Sequence, residues 1–183
     1  MYNKYLVTGA TGFLGRTVVD ELVRSNARVD ALVLRNDTYA ALLPEGVHTV
    51  IGDVCEENSL DRFFAEADSN TCVIHCAGII SVATRSGSRL YQVNVDGTRN
   101  VVRQCMKHHV GKMIHVSSVH AIPEKPKNCV ITEDCVFSPG LVDGDYAKSK
   151  ATATEMVFHA AKHGLNVSIV FPSGIIGPGD VLG

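Results

Sequence analysis

Tyr146 and Lys150 stand four positions apart in Asp145-Tyr146-Ala147-Lys148-Ser149-Lys150. On a helix, side chains at i and i+4 lie one above the other on one face, so this spacing sets a phenol beside an ammonium. The cation favours the phenolate. An unperturbed tyrosine titrates near pH ~10, and bringing it to neutrality takes roughly 4 kcal/mol of preferential phenolate stabilisation. Such a pair can move a proton to or from a substrate oxygen. The same spacing also describes two side chains that only cover a helix surface, so the chemistry depends on what the rest of the chain places around them.

The elements that must do the placing belong to an ordinary globular sequence. The chain has 183 residues, 45% of them hydrophobic, with six Cys, no Trp and a net charge of -2. That is enough for one soluble domain with a sizeable core. Its 17 basic and 19 acidic residues form no run of either sign, which argues against a nucleic-acid or membrane-surface partner. The N-terminus passes directly into the strand-like Lys4-Tyr5-Leu6-Val7-Thr8 without a basic segment and long apolar stretch, so no secretory signal is read and a cytoplasmic location is expected. Cys55, Cys72, Cys76, Cys105, Cys129 and Cys135 include no CxxC pair and read as reduced thiols, mostly core fillers.

Short β-branched runs alternate with longer helical patterns, the mark of a parallel α/β sheet. Strands are expected at Tyr5–Thr8, Val29–Leu34, Val47–Ile51, Cys72–His75, Met113–Ser117 and Val167–Phe171, each too uniformly apolar to leave one face in water. Helices are expected at Phe13–Ser25, Leu60–Ala67, Leu90–His109 and Tyr146–His163, with a short one near Thr38–Leu43. Gly111 and Gly164 fall where helix ends need a left-handed residue. One long irregular connection, Val119 to about Gly144, carries Pro123, Pro126, Pro139 and Gly140, and a loop of that length is more often functional than idle.

Thr8-Gly9-Ala10-Thr11-Gly12-Phe13-Leu14-Gly15 follows the first strand and opens the first helix. Small residues there let the backbone approach a pyrophosphate, and the free N–H groups and helix dipole favour its charge. The spacing is GxxGxxG, distinct from the GxGxxG of many dinucleotide dehydrogenases. A doubly wound Rossmann-like sheet of order 3-2-1-4-5-6 follows as the expected architecture. In such folds the end of the second strand separates NAD from NADP through an acid on the ribose 2′-OH or a base on the 2′-phosphate. Arg35 occupies that place, whereas Asp30 lies too early in the strand and Asp37 lies just past it. This favours NADP over NAD, because a guanidinium suits a phosphate. Asp53-Val54 ends the third strand, where adenine should lie, and His75-Cys76-Ala77-Gly78 ends the fourth, where small residues permit close ribose contact.

With these residues in view, the chain resembles the short-chain dehydrogenase/reductase superfamily, in its extended epimerase/dehydratase and dihydroflavonol-reductase-like branch. The resemblance rests on the glycine turn, Asp53-Val54, His75-Cys76-Ala77-Gly78, Asn94-Val95-Asp96-Gly97-Thr98, Val116-Ser117-Ser118, Tyr146-Ala147-Lys148-Ser149-Lys150 and Pro172-Ser173-Gly174, in order along nearly the whole chain. It implies that Tyr146 is the general acid/base, that Lys150 lowers its pKa and holds the nicotinamide ribose, and that Ser118 bonds the substrate oxygen. It adds Asn94, Ser117, Pro172 and Ser173 to the cofactor-binding surface. Thr132-Glu133 reads as a structural segment before the Tyr146 helix. Nucleotide-sugar dehydratases of this branch carry an acid shortly after the serine motif; here Val119-His120-Ala121 follow, which disfavours dehydration. Reduction of a small carbonyl, oxidation of an alcohol, or epimerisation through a ketone remain, with a non-catalytic dinucleotide sensor as a further alternative. His120 is either a substrate contact or a plain loop histidine.

Other signals lead nowhere. His159 and His163 share a helical spacing but have no third ligand and no HExxH glutamate, so no metal is expected. A GxSxG elbow for a hydrolase is absent. Relatives often pair through helices equivalent to Leu90–His109 and Tyr146–His163, which makes a homodimer an expectation. Extended members also continue past the motif resembling Pro172-Ser173-Gly174-Ile175-Ile176-Gly177-Pro178-Gly179-Asp180 into a lobe over the substrate, and a longer chain of that kind is expected here.

Overall fold

The computed structural model describes residues 2–81, 87–124, 130–132 and 135–179. Pro126, Cys129, Glu133 and Asp180 lie outside the described residues. Strands β1 (Lys4–Thr8), β2 (Val29–Val33), β3 (His48–Ile51), β4 (Thr71–His75), β5 (Lys112–Val116) and β6 (Val167–Val170) form one sheet of order β3-β2-β1-β4-β5-β6. All five pairings are parallel. Every residue of β2 and β4 is buried, as in strands covered on both faces. The expectation that all six strands lack a wet face fails at the edges. Three of the four residues of β3 are exposed, and Ser168 and Val170 of β6 are exposed, because an edge strand has a neighbour and a covering layer on one side only.

The two faces bury different partners because the strand period is two. Leu6, Val73 and Met113 point to one side, against Leu60, Phe63, Phe64, Val101, Cys105 and Val157. Val7, Ala31, Cys72 and Ile74 point to the other, against Val19 of helix α1 (Phe13–Arg24). Phe63 and Phe64 pack edge to face at 5.4 Å and are both fully buried. Each such side chain contributes about 1.5–3 kcal/mol by leaving water.

Three helix expectations are corrected. The stretch expected as one helix over Leu60–Ala67 is a 3-10 turn, Glu57–Leu60, followed by one α-helical turn, α2 (Asp61–Phe64). Ser59 Oγ donates back to the carbonyls of Asp53 and Glu56 and accepts from the Asp53 N–H, which ties its backbone into a tight turn. The run expected as Leu90–His109 is helical but interrupted: α3 (Ser88–Tyr91) leads into a π turn, Gln92–Gly97, and then into α4 (Thr98–Lys107). The short Thr38–Leu43 helix is a 3-10 turn, Thr38–Leu42, capped by the Asp37 carboxylate on Tyr39 N–H. The last long helix, α5 (Asp145–Lys162), matches the expectation within a residue.

Gly164 has φ +98° and ends α5 as expected, but the left-handed residue after α4 is His109, at φ +50°, and not Gly111. Gly111 is required for another reason: a Cβ there would fall on the Ser69 carbonyl oxygen. The five described cysteines are all free thiols. Among the described residues no helix is long and apolar enough to cross a membrane, and no group of three or more His, Cys, Asp or Glu could hold a metal.

Candidate active site

The residues singled out by sequence follow the carboxyl ends of the six strands, where ligands of open α/β sheets bind. The strand order reverses between β1 and β4, and there the two strand ends touch. Gly9, with φ +66°, comes so close to the turn after β4 that a Cβ would lie 2.6 Å from Ala77 N. A Cβ on Gly15 would fall on the Gly9 carbonyl oxygen, so Gly15 lets α1 pack onto β1. Gly12 differs. It is the exposed N-cap of α1, it supplies no side-chain cap, and a Cβ there would have its nearest contact at an ordinary 3.4 Å. The first N–H groups of α1, at Phe13, Leu14 and Gly15, therefore have no side-chain partner and face a bare cradle.

Two cavities open along this edge. One of about 570 Å³ is lined by Thr11, Gly12, Phe13, Arg16, Arg35 and Asp37 among others. The second, about 360 Å³, is lined by Leu34, Arg35, Gly52, Asp53, Glu56 and Ser59 among others. Arg35 borders both. Its loop is built: Asp37 N–H closes a turn on Leu34 O, Asn36 takes φ +65°, and Thr11 Oγ1 donates to Asp37 Oδ2 at 2.7 Å. Asp30 stands at the other end of β2, buried against Lys4 Nζ at 2.8 Å. A cradle that a Cβ would fill, an uncapped helix N-terminus and two adjoining cavities fit a dinucleotide.

Past β5, Ser118 caps a 3-10 turn, Val119–Ala121, and its Oγ accepts from His120 N–H at 3.3 Å. Burial raises the pKa of Tyr146, and a hydrogen bond with the Ser118 hydroxyl works in the opposite direction. Ser117 faces away, its hydroxyl bonded to Thr154 at 2.6 Å, so Ser118 is the serine available to the crevice. His120 packs its ring edge-on to Tyr146 at 5.9 Å, which places this exposed loop histidine at the mouth of the site. Lys150, 6% exposed, donates to Val116 O at 3.0 Å, and its Nζ would lie 3.1 Å from a Cβ on Gly78. Burial pulls its pKa down to about 8. Lys150 follows Tyr146 by four residues on α5, and its ammonium is tied to the end of β5.

Asn94 anchors the site from the π turn. Its Oδ1 accepts from Ile79 N–H at 2.8 Å, and its Nδ2 donates to Ile79 O and to Ser149 Oγ, each at 3.0 Å. The carboxamide thus clamps the segment after Gly78 to α5. π turns in helices gather at functional sites, and this one carries the clamp. Asn94 O in turn accepts from Thr98 Oγ1 at 2.7 Å. With its proton so used, Thr98 Oγ1 must accept from His75 Nε2, 3.0 Å away, which leaves His75 Nδ1 to accept from Thr8 Oγ1 at 2.7 Å. His75 is therefore neutral with its proton on Nε2, and burial holds its pKa down to about 3. His115 stacks on it at 5.5 Å, buried, with neither ring nitrogen hydrogen-bonded.

The remaining expected residues fall in varied places. Pro172 O accepts from Val119 N–H at 3.1 Å, next to the serine turn, and Ser173 follows on an exposed stretch. Cys76 sits partly buried past β4 with its thiol pushed up to about 11 by burial. Val54 is turned away from the crevice toward α4: Gly97 passes over it, and its carbonyl accepts from Asn100 Nδ2 at 2.9 Å. Arg16, Arg89 and Ile79 join the site without a sequence signal, while Ser149 and the Val116 carbonyl belong to quoted motifs but had no role read for them. Arg16 reaches Gly179 O at 3.4 Å and lines the larger cavity, and only its position one turn into α1 could have pointed to it.

Known proteins resemble this chain in sequence and fold. A family model described as NAD dependent epimerase/dehydratase family matches residues 5–182. Sterol demethylase protein B of Methylococcus capsulatus is 32% identical over 175 residues, covering 96% of this chain and 52% of that protein. The decarboxylating sterol-4-alpha-carboxylate 3-dehydrogenase of Schizosaccharomyces pombe is 29% identical over 180 residues, covering 97% of this chain and 52% of that protein. A solved short-chain dehydrogenase/reductase superfamily protein from Agrobacterium tumefaciens, with bound NAD, superimposes with a TM-score of 0.74 at 25% identity, covering 92% of this chain and 48% of that one. The chain spans about half the length of the curated relatives it matches. On the match across residues 5–182, together with the glycine cradle and the Ser118, Tyr146 and Lys150 constellation, the chain belongs to the NAD dependent epimerase/dehydratase family.

Proposed function

We propose that this chain carries the cofactor half and the acid/base of an NADP(H)-dependent oxidoreductase acting on an alcohol or its ketone. The observation that carries the reading is Tyr146, packed against His120 of the turn that Ser118 caps, on the helix that brings buried Lys150 to the same crevice edge as the glycine cradle. A bound nicotinamide dinucleotide supplies or accepts the hydride. The N–H groups at the start of α1 hold the pyrophosphate, Arg35 meets the 2′-phosphate, and the cavity beside Asp53 takes the adenine. Lys150 turns one of its N–H groups to the nicotinamide ribose, and a charge there favours the Tyr146 phenolate. Ser118 donates to the substrate oxygen, and Tyr146 gives that oxygen a proton on reduction or removes one on oxidation. The names of the relatives agree with this class, since one is a sterol-4-alpha-carboxylate 3-dehydrogenase. The assembled protein is proposed to work as a homodimer in the cytoplasm.

Tyr146→Phe tests the mechanism. Turnover of a cyclic ketone panel with NADPH should fall at least about 100-fold while dinucleotide affinity stays within a few-fold. Unchanged turnover would refute the assignment. Net consumption of NADPH separates reduction from epimerisation, in which the dinucleotide is regenerated within each cycle.

A further inference from the structure

His120 stands beside the phenol that the oxidoreductase reading makes the acid/base, and hydride transfer gives it nothing to do. The turn that carries it is fixed by four bonds. Val119 N–H donates to Pro172 O at 3.1 Å, His120 N–H to Ser118 Oγ at 3.3 Å, and Ala121 N–H to Ser118 O and Ile122 N–H to Val119 O, each at 3.0 Å. Ala121 is fully buried and clusters with Ala151 of α5, the helix of Tyr146. The His120 backbone is thus held against α5 while its side chain stays exposed, with the ring edge-on to Tyr146 at 5.9 Å. Among the described residues no hydrogen bond engages either ring nitrogen. Other groups near the phenol are committed elsewhere. Lys150 is tied to Val116 O, burial pushes the Cys76 thiol up to about 11, and His75 and His115 are buried, His75 with both ring nitrogens bonded.

We infer that His120 is a second general base, which removes a proton from the carbon next to the ketone, so that this site enolises a bound ketone as well as transferring hydride. The inference rests on the oxidoreductase reading above. The α-carbon of a ketone lies about 2.4 Å from the carbonyl oxygen. A ketone whose oxygen is held by Ser118 and Tyr146 therefore brings its α hydrogens to the ring packed on that phenol. Imidazole can take and return a proton near neutral pH. As its nitrogen takes the α proton, the C–H electron pair becomes a C=C bond and the carbonyl π pair moves onto oxygen, where the Ser118 and Tyr146 hydroxyls donate to it. In the oxidising direction Tyr146 has just taken the alcohol proton, so its phenol is ready to donate. Return of a proton from the imidazolium to carbon restores the ketone, and no oxidant or reductant is consumed. In heavy water the imidazolium exchanges with solvent first and leaves deuterium on the α-carbon.

Reduction of the cyclic ketone panel with NADPH is measured first, on the full chain. Each ketone that wild type reduces is then held with the enzyme and NADP+ in heavy water, where no hydride is available, and α-deuterium is read by mass spectrometry. Wild type should exchange at least about 100-fold faster than an enzyme-free control. His120→Gln should lose nearly all of that excess, so that the ratio of exchange to reduction falls at least about 30-fold, whereas Tyr146→Phe lowers both. His120→Ala should lose it too and regain it with added imidazole in a saturable way, because the ring it lacks is an exposed one; a folding defect would not respond to imidazole. Wild-type exchange at the control rate overturns the inference, as does equal exchange by wild type and His120→Gln; in either case the oxidoreductase reading survives. Wild type that reduces none of the ketones overturns both.

Discussion

Lys150 donates to the Val116 carbonyl at 3.0 Å from a pocket in which no carboxylate is among the groups acting on its ammonium. A charge held this way is costly. With its pKa drawn from 10.5 to about 8 by burial, keeping Lys150 protonated at pH 7 costs on the order of 3 kcal/mol. The folded pKa lies below the unfolded one, so the unfolded chain binds more protons between about pH 8 and 10.5, and stability recovers as pH rises through that window. Lys150→Met should therefore be more stable than wild type at pH 7 by about 1–3 kcal/mol. The gap should close as pH approaches 10. Urea midpoints of the two proteins at pH 7, 8.5 and 9.5 check this, and a less stable variant at pH 7 would rule it out.

The stacked imidazoles of His75 and His115 predict an acid limb. Both are buried and neutral, His75 titrating at about 3 and His115 far below its ordinary value, mainly because burial disfavours the cation. On unfolding they take up protons below about pH 6.5, so their contribution is complete above that pH and is lost as pH falls. The expected slope is up to about 1.4 kcal/mol per pH unit for each ring. Half-buried His108 is lowered too, mainly by burial, and adds a share. The lowered carboxylates Asp53, Asp61, Glu66 and Asp68 act below about pH 4.5, which leaves most of pH 4.5–6.5 to the histidines. His115→Phe removes two unbonded ring nitrogens and keeps a stacked ring. It should raise stability at pH 7 by about 1–3 kcal/mol and flatten the slope between pH 6.5 and 4. An unchanged slope would show that His115 does not titrate on unfolding.

What could be read from the chain follows from sequence distance. The six strands were legible to within a residue or so because each is a short apolar run, three of them followed at once by Gly9, Gly52 or Ser117, and the order 3-2-1-4-5-6 is that of the Rossmann-like sheet which the glycine turn marks. The glycine turn was legible as a motif, but not the division of labour within it, because Gly9 and Gly15 answer to Ala77 and to each other in space. The break in the helix over Leu90–His109 was invisible, since Gln92–Gly97 keeps a helical apolar pattern and the cause lies in Ile79, Ser149 and Val54. Arg89–Asp53 and Lys150–Val116 are partners 36 and 34 residues apart, and no local spacing encodes them.

The glycines separate fold from function. Gly15→Ala pushes a Cβ onto the Gly9 carbonyl, backbone against backbone, with nothing flexible to give way. A loss of about 2–4 kcal/mol is expected. Gly12→Ala adds a Cβ with room at 3.4 Å, so thermal unfolding should shift by no more than a few degrees. The same Cβ stands on the open side of the cradle, where a pyrophosphate has to approach the N–H groups of α1, and dinucleotide affinity should fall about tenfold or more. Equal damage to stability by both substitutions would mean that Gly12 is kept for the fold and not for a ligand.

Arg35 gives the sharpest test of cofactor choice. Its guanidinium is exposed between the two cavities, while Asp37, two residues on, bonds Thr11 through one oxygen and the Tyr39 N–H through the other. An exposed guanidinium beside the same pocket is well placed for a phosphate. Charge-assisted bonds of this kind contribute about 1.5–3 kcal/mol, which is roughly 10–100-fold in affinity. Arg35→Leu should cost that much for NADPH and less than about threefold for NADH. Because the guanidinium is exposed, the NADPH advantage of wild type should also shrink as salt rises from 0.05 to 0.5 M, estimated from a Debye length falling from roughly 14 to 4 Å. Tighter binding of NADH than NADPH by wild type, with Arg35→Leu leaving that order untouched, would transfer the choice of cofactor to Asp37.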